Sequence, residues 1–222
     1  MKLYFVSLFT LILLSSFFFQ TRKKIIFFGD SITQAGVQPG GYITRIGELA
    51  TKEGLANKFD FVGAGIGGNK IYDLYLRLED DVLSKDPDVV FIYVGVNDVW
   101  HKQSYGTGTD ADKFERFYNA VIKKIIAKGA QVILVTPAVI GERTDFSNQL
   151  DGDLNRYSNI IRSIAQQNGL KVVDLRNAFL AYNKQNNPEN KEQGILTTDR
   201  VHLNEKGNQL VAEEIWKVIK SL

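Results

Sequence analysis

The feature that most constrains the fold is a regular alternation of short apolar runs with longer amphipathic stretches from residue 24 onward. Apolar runs of about four to eight residues, rich in β-branched and aromatic side chains, are typical of strands. The run over residues 88–95 (DVVFIYVG) is almost continuously apolar, as expected for a strand that is buried on both faces. Strands are predicted over residues 24–28, 59–62, 88–95, 131–136 and 170–173.

The stretches that lie between and after these strands have helical spacing of their apolar residues. Strands that alternate with helices form a parallel sheet with helices on both faces. We therefore predict one three-layer α/β/α domain over residues 21–222, with a parallel sheet of five strands. Polar stretches over residues 141–153 and 183–198 are predicted to be surface loops. Helices are predicted over residues 42–51, 71–83, 113–128, 154–168 and 205–222.

Residues 1–20 form a separate segment with its own character. Lys2 is followed by residues 3–19, which carry no charge. A basic start before an apolar stretch resembles a secretory signal peptide, although an A-x-A cleavage site is missing. The stretch is also at the lower limit of length for a membrane span, so an uncleaved anchor formed by residues 3–19 is the alternative interpretation. A third interpretation is that the segment is an element of the core. Both leading interpretations predict a domain outside the cytoplasm, either exported (periplasmic or secreted) or membrane-anchored, with membrane contact only if the segment stays uncleaved.

Composition excludes several classes of function. The chain has no cysteine, which excludes disulfides, thiolate catalysis and cysteine-ligated metals. Its only histidines are His101 and His202, which argues against a multi-histidine metal site. Lys and Arg number 27 and Asp and Glu 25, a balance that argues against a nucleic-acid partner. We expect no metal, no cofactor and no nucleic acid.

Small and polar residues follow the first three predicted strands and precede the last helix. Because the carboxyl ends of parallel strands meet at one edge of a sheet, we expect these segments to lie together. The segments are Gly29-Asp30-Ser31, Gly63-Ala64-Gly65-Ile66-Gly67-Gly68-Asn69, Gly95-Val96-Asn97-Asp98 and Asp199-Arg200-Val201-His202.

The residue types in these segments suit acyl transfer. A serine hydroxyl becomes a nucleophile when a histidine accepts its proton, and a carboxylate orients that histidine. Ser31, His202 and Asp199 are the candidates for these three roles. The oxyanion of the tetrahedral intermediate needs fixed hydrogen-bond donors, which the N–H groups of Ser31 and Gly68 and the Asn97 amide can supply. Gly67 is the alternative to Gly68.

Each piece also has a simpler interpretation. Gly-Asp-Ser is a common turn, and Asp30 braces such a turn more readily than it reacts. It is kept as a weaker candidate for substrate binding. Trp100, His101 and Tyr105 follow the third segment and are predicted to line the substrate pocket. The ordered occurrence of all four segments at strand ends favours the catalytic interpretation.

These four segments resemble the conserved blocks of the SGNH (GDSL) hydrolases, and the resemblance covers residue 24 to the C-terminus. It implies a flavodoxin-like α/β/α fold and a cofactor-free serine esterase that acts on short-chain esters, including acetyl esters of carbohydrates. It also implies Ser31 as nucleophile, Asp199 and His202 as its triad partners, and Gly68 and Asn97 as oxyanion donors. One departure is Gly63, where the family often has asparagine.

Other functions remain open at this point. An acyltransferase would use the same acyl-enzyme with an alcohol acceptor. A non-catalytic carbohydrate-binding module on the same fold is a second alternative. The run from Gly63 to Gly68 also reads G-x-G-x-x-G, the fingerprint of dinucleotide-binding oxidoreductases, but no acidic residue ends the next strand to hold a ribose.

Overall fold

The computed structural model describes residues 21–222. The segment predicted to be a signal peptide or anchor, residues 1–20, lies outside this range. Within residues 21–222, no helix combines the length and the apolar character that crossing a bilayer requires.

Five parallel strands form one sheet in the order β2-β1-β3-β4-β5, which confirms the predicted α/β fold. This is the strand order of flavodoxin-like folds, in which ligands bind where the order reverses, outside the carboxyl ends of β1 and β3. The strands are β1 (Lys23–Gly29), β2 (Phe59–Gly65), β3 (Val89–Tyr93), β4 (Gln131–Val135) and β5 (Lys171–Val173).

Helices cover both faces of the sheet. The crossover from β1 to β2 runs in one direction and the later crossovers run in the other, so right-handed connections place their helices on opposite faces. Accordingly, α2 packs against α8, whereas α5 packs between α3 and α6. The helices are α1 (Ser31–Gly36), α2 (Tyr42–Lys52), α3 (Ile71–Asp81), α4 (Val96–Ser104), α5 (Ala111–Ala127), α6 (Asp151–Asn168), α7 (Leu175–Asn186) and α8 (Glu205–Ile219).

The core lies along the two central strands. All five residues of β3 are buried, and so are the last five of β1. Phe27 of β1 stacks on Phe91 of β3 with ring centroids 5.2 Å apart, and the ring of Tyr42 from α2 meets Phe27 edge-on at 5.8 Å. Strands buried on both faces explain the continuous apolar runs in the sequence.

Three helices were not predicted. α1 and α4 begin inside the first and third polar segments, and α7 extends into residues 183–186, which were predicted to be loop. Likewise α6 begins at Asp151, inside the other predicted loop. These helices are short or largely polar, so they lack the apolar periodicity by which a helix is predicted. Capping by Asp30 at α1 and by Asp174 at α7 provides local support instead.

Arg77 of α3 joins the carboxyl ends of β1 and β2. Its side chain is only 15% exposed. A planar guanidinium can serve several acceptors at once, which a lysine ammonium cannot do in the same geometry. It donates to the Gly29 carbonyl at 2.7 Å, the Ala64 carbonyl at 3.0 Å, Asn69 Oδ1 at 2.7 Å and Asp81 Oδ2 at 2.6 Å.

Replacing Arg77 is expected to destabilise the protein because it leaves partly buried carbonyls without their donor. We expect Arg77→Ala to lower the free energy of unfolding by about 2–4 kcal/mol, and Arg77→Lys to recover only part of this loss. Urea unfolding measures both. The exposed Arg116→Ala on α5 is the control; an equal loss in this control would contradict the assigned role of Arg77.

Candidate active site

Ser31 is the first residue of α1 and lies directly beyond the carboxyl end of β1. Its Oγ lies 3.0 Å from Nε2 of His202. Asp30 caps the helix by accepting the Ile32 N–H at 3.0 Å, and its carboxyl is buried, with 2% of the residue exposed. The structure therefore places Asp30 beneath the serine, where it braces the turn.

Asp199 and His202 form a compact turn that holds the imidazole. Oδ2 of Asp199 lies 2.6 Å from Nδ1 of His202. The other carboxylate oxygen, Oδ1, accepts the backbone N–H of His202 at 2.8 Å and that of Val201 at 3.2 Å. Burial alone would raise the pKa of Asp199, but these hydrogen bonds outweigh burial and hold its pKa below the usual value.

The loop over residues 66–70 lies beside the serine: a Cβ on Gly67 would be 4.0 Å from Ser31 Cβ. In the described part of the chain, every backbone N–H of this loop except that of Gly68 donates to a protein acceptor. Ile66 N–H donates to the Gly29 carbonyl at 3.3 Å, Gly67 N–H to Gln34 Oε1 at 2.9 Å, Asn69 N–H to the Ile66 carbonyl at 3.3 Å and Lys70 N–H to Asp73 Oδ2 at 2.9 Å.

This pattern favours Gly68 over Gly67 as the oxyanion donor, because the N–H of Gly67 is already used by Gln34. Gly68 has a φ of +74°, a conformation that glycine adopts without strain. The ring of His101 lies beside it: a Cβ on Gly68 would be 3.8 Å from His101 Cε1.

Asn97 faces the same loop from the start of α4. It is 3% exposed, and its Nδ2 donates to the Asn69 carbonyl at 3.1 Å. An amide nitrogen carries two hydrogens, so this bond fixes the group and leaves the second hydrogen for another acceptor. The structure thus brings Ser31, His202 and Asp199 into one hydrogen-bonded chain and holds Asn97 against the loop that carries Gly68.

Three further predicted residues form a ring cluster beside Gly68, which we call the rim of the site. The ring of His101 lies 4.9 Å from that of Tyr105 and 5.7 Å from that of Trp100. Tyr105 is 70% exposed, whereas His101 and Trp100 are half-buried. Partial burial and the charge of Lys70 lower the pKa of His101, which favours the neutral ring. Their predicted contact with substrate stays a prediction.

Sequence reasoning missed the residues that support the loop. Gln34, Arg77 and Lys70 each hold a polar group of residues 66–70, but none belongs to a polar segment that ends a predicted strand. For these residues, the one available signal in the sequence was the position of Lys70 directly after the second polar segment. Among residues 21–222, no group of three or more histidine or carboxylate side chains is placed to hold a metal ion.

Asp98 is a second buried carboxyl group next to the site. It is fully buried; Oδ1 accepts the Ile71 N–H at 3.2 Å, and Oδ2 has no hydrogen-bond partner within residues 21–222. Burial raises its pKa to about 7, and burial likewise raises the pKa of Asp30 to about 7. Both groups therefore gain their charge only near neutral pH.

The raised pKa of Asp98 predicts a pH-dependent stability. Between its ordinary pKa of 3.8 and about 7 the folded protein binds more protons than the unfolded chain, so stability falls as pH rises through this window. Asp98→Asn cannot ionise, and its stability relative to the wild type should rise by about 2–3 kcal/mol from pH 5 to pH 8. Urea unfolding at both pH values measures this, and a difference that does not change with pH would contradict it. Asp30 is common to both proteins, so most of its contribution cancels; the remainder reflects the repulsion between the two carboxylates, which raises the pKa of Asp98.

Comparison with known proteins agrees with this geometry. Residues 27–210 match the model of the GDSL-like lipase/acylhydrolase family. The acetylxylan esterase of Geobacillus stearothermophilus is 29% identical over 215 residues, which cover 89% of this chain and 94% of the relative. A GDSL esterase/lipase of Arabidopsis thaliana is 28% identical over 218 residues, covering 90% of this chain and 79% of the relative.

Solved structures extend the comparison. The structure of an acetyl xylan esterase superposes with a TM-score of 0.87 at 63% identity, covering 88% of this chain and 99% of that one. A catalytic mutant of the G. stearothermophilus acetylxylan esterase superposes with a TM-score of 0.79 at 25% identity, covering 90% and 96%. The family match runs from β1 into α8 and includes all four polar segments. The chain belongs to the GDSL-like lipase/acylhydrolase family, and it is a serine ester hydrolase of the SGNH type.

Proposed function

We propose that this protein removes acetyl groups from carbohydrate esters, with acetylated xylan as the leading substrate class, through a covalent acetyl-enzyme on Ser31. The single observation that carries the mechanism is the hydrogen-bonded chain from Ser31 Oγ to His202 Nε2, at 3.0 Å, and from His202 Nδ1 to Asp199 Oδ2, at 2.6 Å. This is the arrangement in which a histidine activates a serine and a carboxylate orients the histidine.

In the first half-reaction, Ser31 Oγ attacks the acetyl carbonyl carbon while His202 Nε2 accepts the serine proton. The carbonyl oxygen becomes an oxyanion between the N–H groups of Ser31 and Gly68 and the Asn97 amide. The bond from carbon to the sugar oxygen then breaks, and His202 returns its proton to that oxygen. Water repeats the sequence on the acetyl-serine and releases acetate. Asp199 supports the imidazolium formed in each half.

Relatives support the assignment of the three catalytic residues. Solved structures described as catalytic mutants of the G. stearothermophilus acetylxylan esterase replace a serine, an aspartate or a histidine by alanine. In that enzyme the aspartate precedes the histidine by three positions, as Asp199 precedes His202 here.

The open position of the catalytic serine suits an ester of a large alcohol. Ser31 and His202 are half-buried, and the rim residue Tyr105 is exposed. An open rim with an aromatic wall leaves room for a sugar chain and offers rings on which sugars can pack. Two of the relatives are acetylxylan esterases, which favours the same substrate class.

The direct test compares acetate release from acetylated xylo-oligosaccharides with hydrolysis of p-nitrophenyl acetate and octanoate. We expect activity on both acetyl substrates, little on the octanoate, and loss of all three activities in Ser31→Ala. Hydrolysis of the octanoate in preference to both acetyl substrates would contradict the substrate class. Full activity of Ser31→Ala would contradict the mechanism.

A second prediction concerns Asn97. Asn97→Ala removes one oxyanion donor and should lower kcat about 10²–10³-fold, because that interaction strengthens only as the oxyanion forms. The melting temperature should show that the variant is folded. Asn159→Ala, on an exposed position of α6, is the matched control and should keep wild-type turnover. Near-normal turnover of Asn97→Ala would remove Asn97 from the oxyanion hole.

A further inference from the structure

Lys70 is a buried cation beside the loop that carries the Gly68 N–H. Only 7% of the residue is exposed, although lysine is almost never buried without a partner. Its Nζ donates to the Gly68 carbonyl at 3.0 Å. Its ion-pair partner is Asp73, whose Oδ2 lies 3.5 Å from Nζ. The ammonium is therefore directed at the loop and is only partly neutralised.

The start of α3 does not require this side chain. The bond that caps the helix runs from the backbone N–H of Lys70 to Asp73 Oδ2 at 2.9 Å, and any residue except proline can donate it. A polar side chain that ends in bulk water would also cost less to place here than a buried ammonium. The Lys70 ammonium also pairs with Asp73 at 3.5 Å and lies 5.2 Å from the centroid of the Tyr72 ring, but its hydrogen bond within residues 21–222 goes to the Gly68 carbonyl.

Gly68 itself offers a reason for this hydrogen bond. With a φ of +74° and no side chain, it is the least restrained residue of the loop. Its neighbours are held by other elements: Gly67 by Gln34, and Asn69 by Asn97 and Arg77. The bond from Lys70 to the Gly68 carbonyl fixes the one loop residue whose N–H has no protein acceptor within residues 21–222.

The charge of Lys70 also affects two titratable side chains near the site. Together with burial, it lowers the pKa of His101. It also favours the charged form of Asp98, although burial has the larger effect and raises the pKa of that group. In a partly buried site a unit charge acts over several ångströms with little screening. A negative oxyanion that forms at the Gly68 N–H lies within the same region.

We propose that Lys70 is a positioning residue of the oxyanion hole: its ammonium holds Gly68 through the carbonyl and adds positive potential where the oxyanion forms. The inference rests on the proposed function, since it takes the Gly68 N–H to be an oxyanion donor. It predicts that Lys70 contributes to the transition state and little to substrate binding.

The test uses Lys70→Met and Lys70→Arg in the full chain, with p-nitrophenyl acetate as substrate. Lys70→Met should lower kcat about 10–100-fold with KM nearly unchanged, since small displacements of a catalytic donor cost up to about 10² in rate. Lys70→Arg, which keeps the charge and the donor, should recover most of the loss. Lys123→Met, on an exposed position of α5, is the control and should keep wild-type kcat.

Affinity for methylboronic acid provides the readout that a purely structural role would not move. This compound forms a tetrahedral adduct with a nucleophilic serine and places an oxygen in the oxyanion hole, so its inhibition constant should rise by about the same factor as kcat falls. If Lys70→Met does not fold, Lys70→Gln, which lacks the charge, replaces it, and kcat and inhibitor affinity should again fall together.

Two results would overturn the inference. The first is wild-type kcat in Lys70→Met. The second is a lower kcat in Lys70→Met that is not accompanied by weaker binding of methylboronic acid and is not recovered in Lys70→Arg. Ser31→Ala, assayed alongside, distinguishes a failure of this inference from a failure of the proposed function. If Ser31→Ala is inactive and the Lys70 variants behave as wild type, only the role of Lys70 is wrong. If Ser31→Ala is active, the proposed function itself is wrong.

Discussion

The parallel pairing of β1 with both β2 and β3 is the constraint on which the site depends. Its register puts Gly29 opposite Gly65 on one side and opposite Tyr93 on the other. Three chain segments therefore leave the sheet at one level, and they carry the serine, the glycine loop and Asn97. The helix that begins at Ser31 lies so close to β2 that a Cβ on Gly65 would overlap the backbone of Gln34. Close packing of this kind limits how far the nucleophile can move relative to the loop.

Hydrogen bonds from neighbouring residues then fix each reactive group. Asp199 uses one oxygen for the backbone of its own turn and the other for the His202 ring, so the orientation of the imidazole is set by the same carboxylate that closes the turn. The turn includes Arg200 at a φ of +81°, an uncommon conformation for a residue other than glycine. Its carbonyl accepts the Gly141 N–H at 2.9 Å, which ties the turn to the segment after β4. Donors that are fixed before the substrate binds need no reorganisation during the reaction, and this is the main source of catalysis in such sites.

The sequence contained enough information for the sheet and for the residues that meet at its edge. All five predicted strands form, because long apolar runs have few alternatives to burial in a parallel sheet. Helices α1, α4 and α7 were missed because tertiary contacts, with side-chain caps at α1 and α7, stabilise them and no apolar periodicity marks them. The choice of Gly68 over Gly67 needed the Gln34 bond, a contact between residues 33 positions apart. Lys70 and Arg77 were missed for a similar reason, since their main acceptors are backbone carbonyls, which no residue type in the sequence marks.

Acylation of Ser31 is the central claim, and trapping the acyl-enzyme tests it most directly. The protein would be mixed with p-nitrophenyl acetate, quenched in acid within its first turnovers, digested and analysed by mass spectrometry. The account predicts an added acetyl group on the peptide that contains Ser31, its absence in Ser31→Ala, and an initial burst of p-nitrophenol if deacetylation is the slower step. Acetylation confined to another residue, with catalytic turnover unchanged in Ser31→Ala, would contradict it.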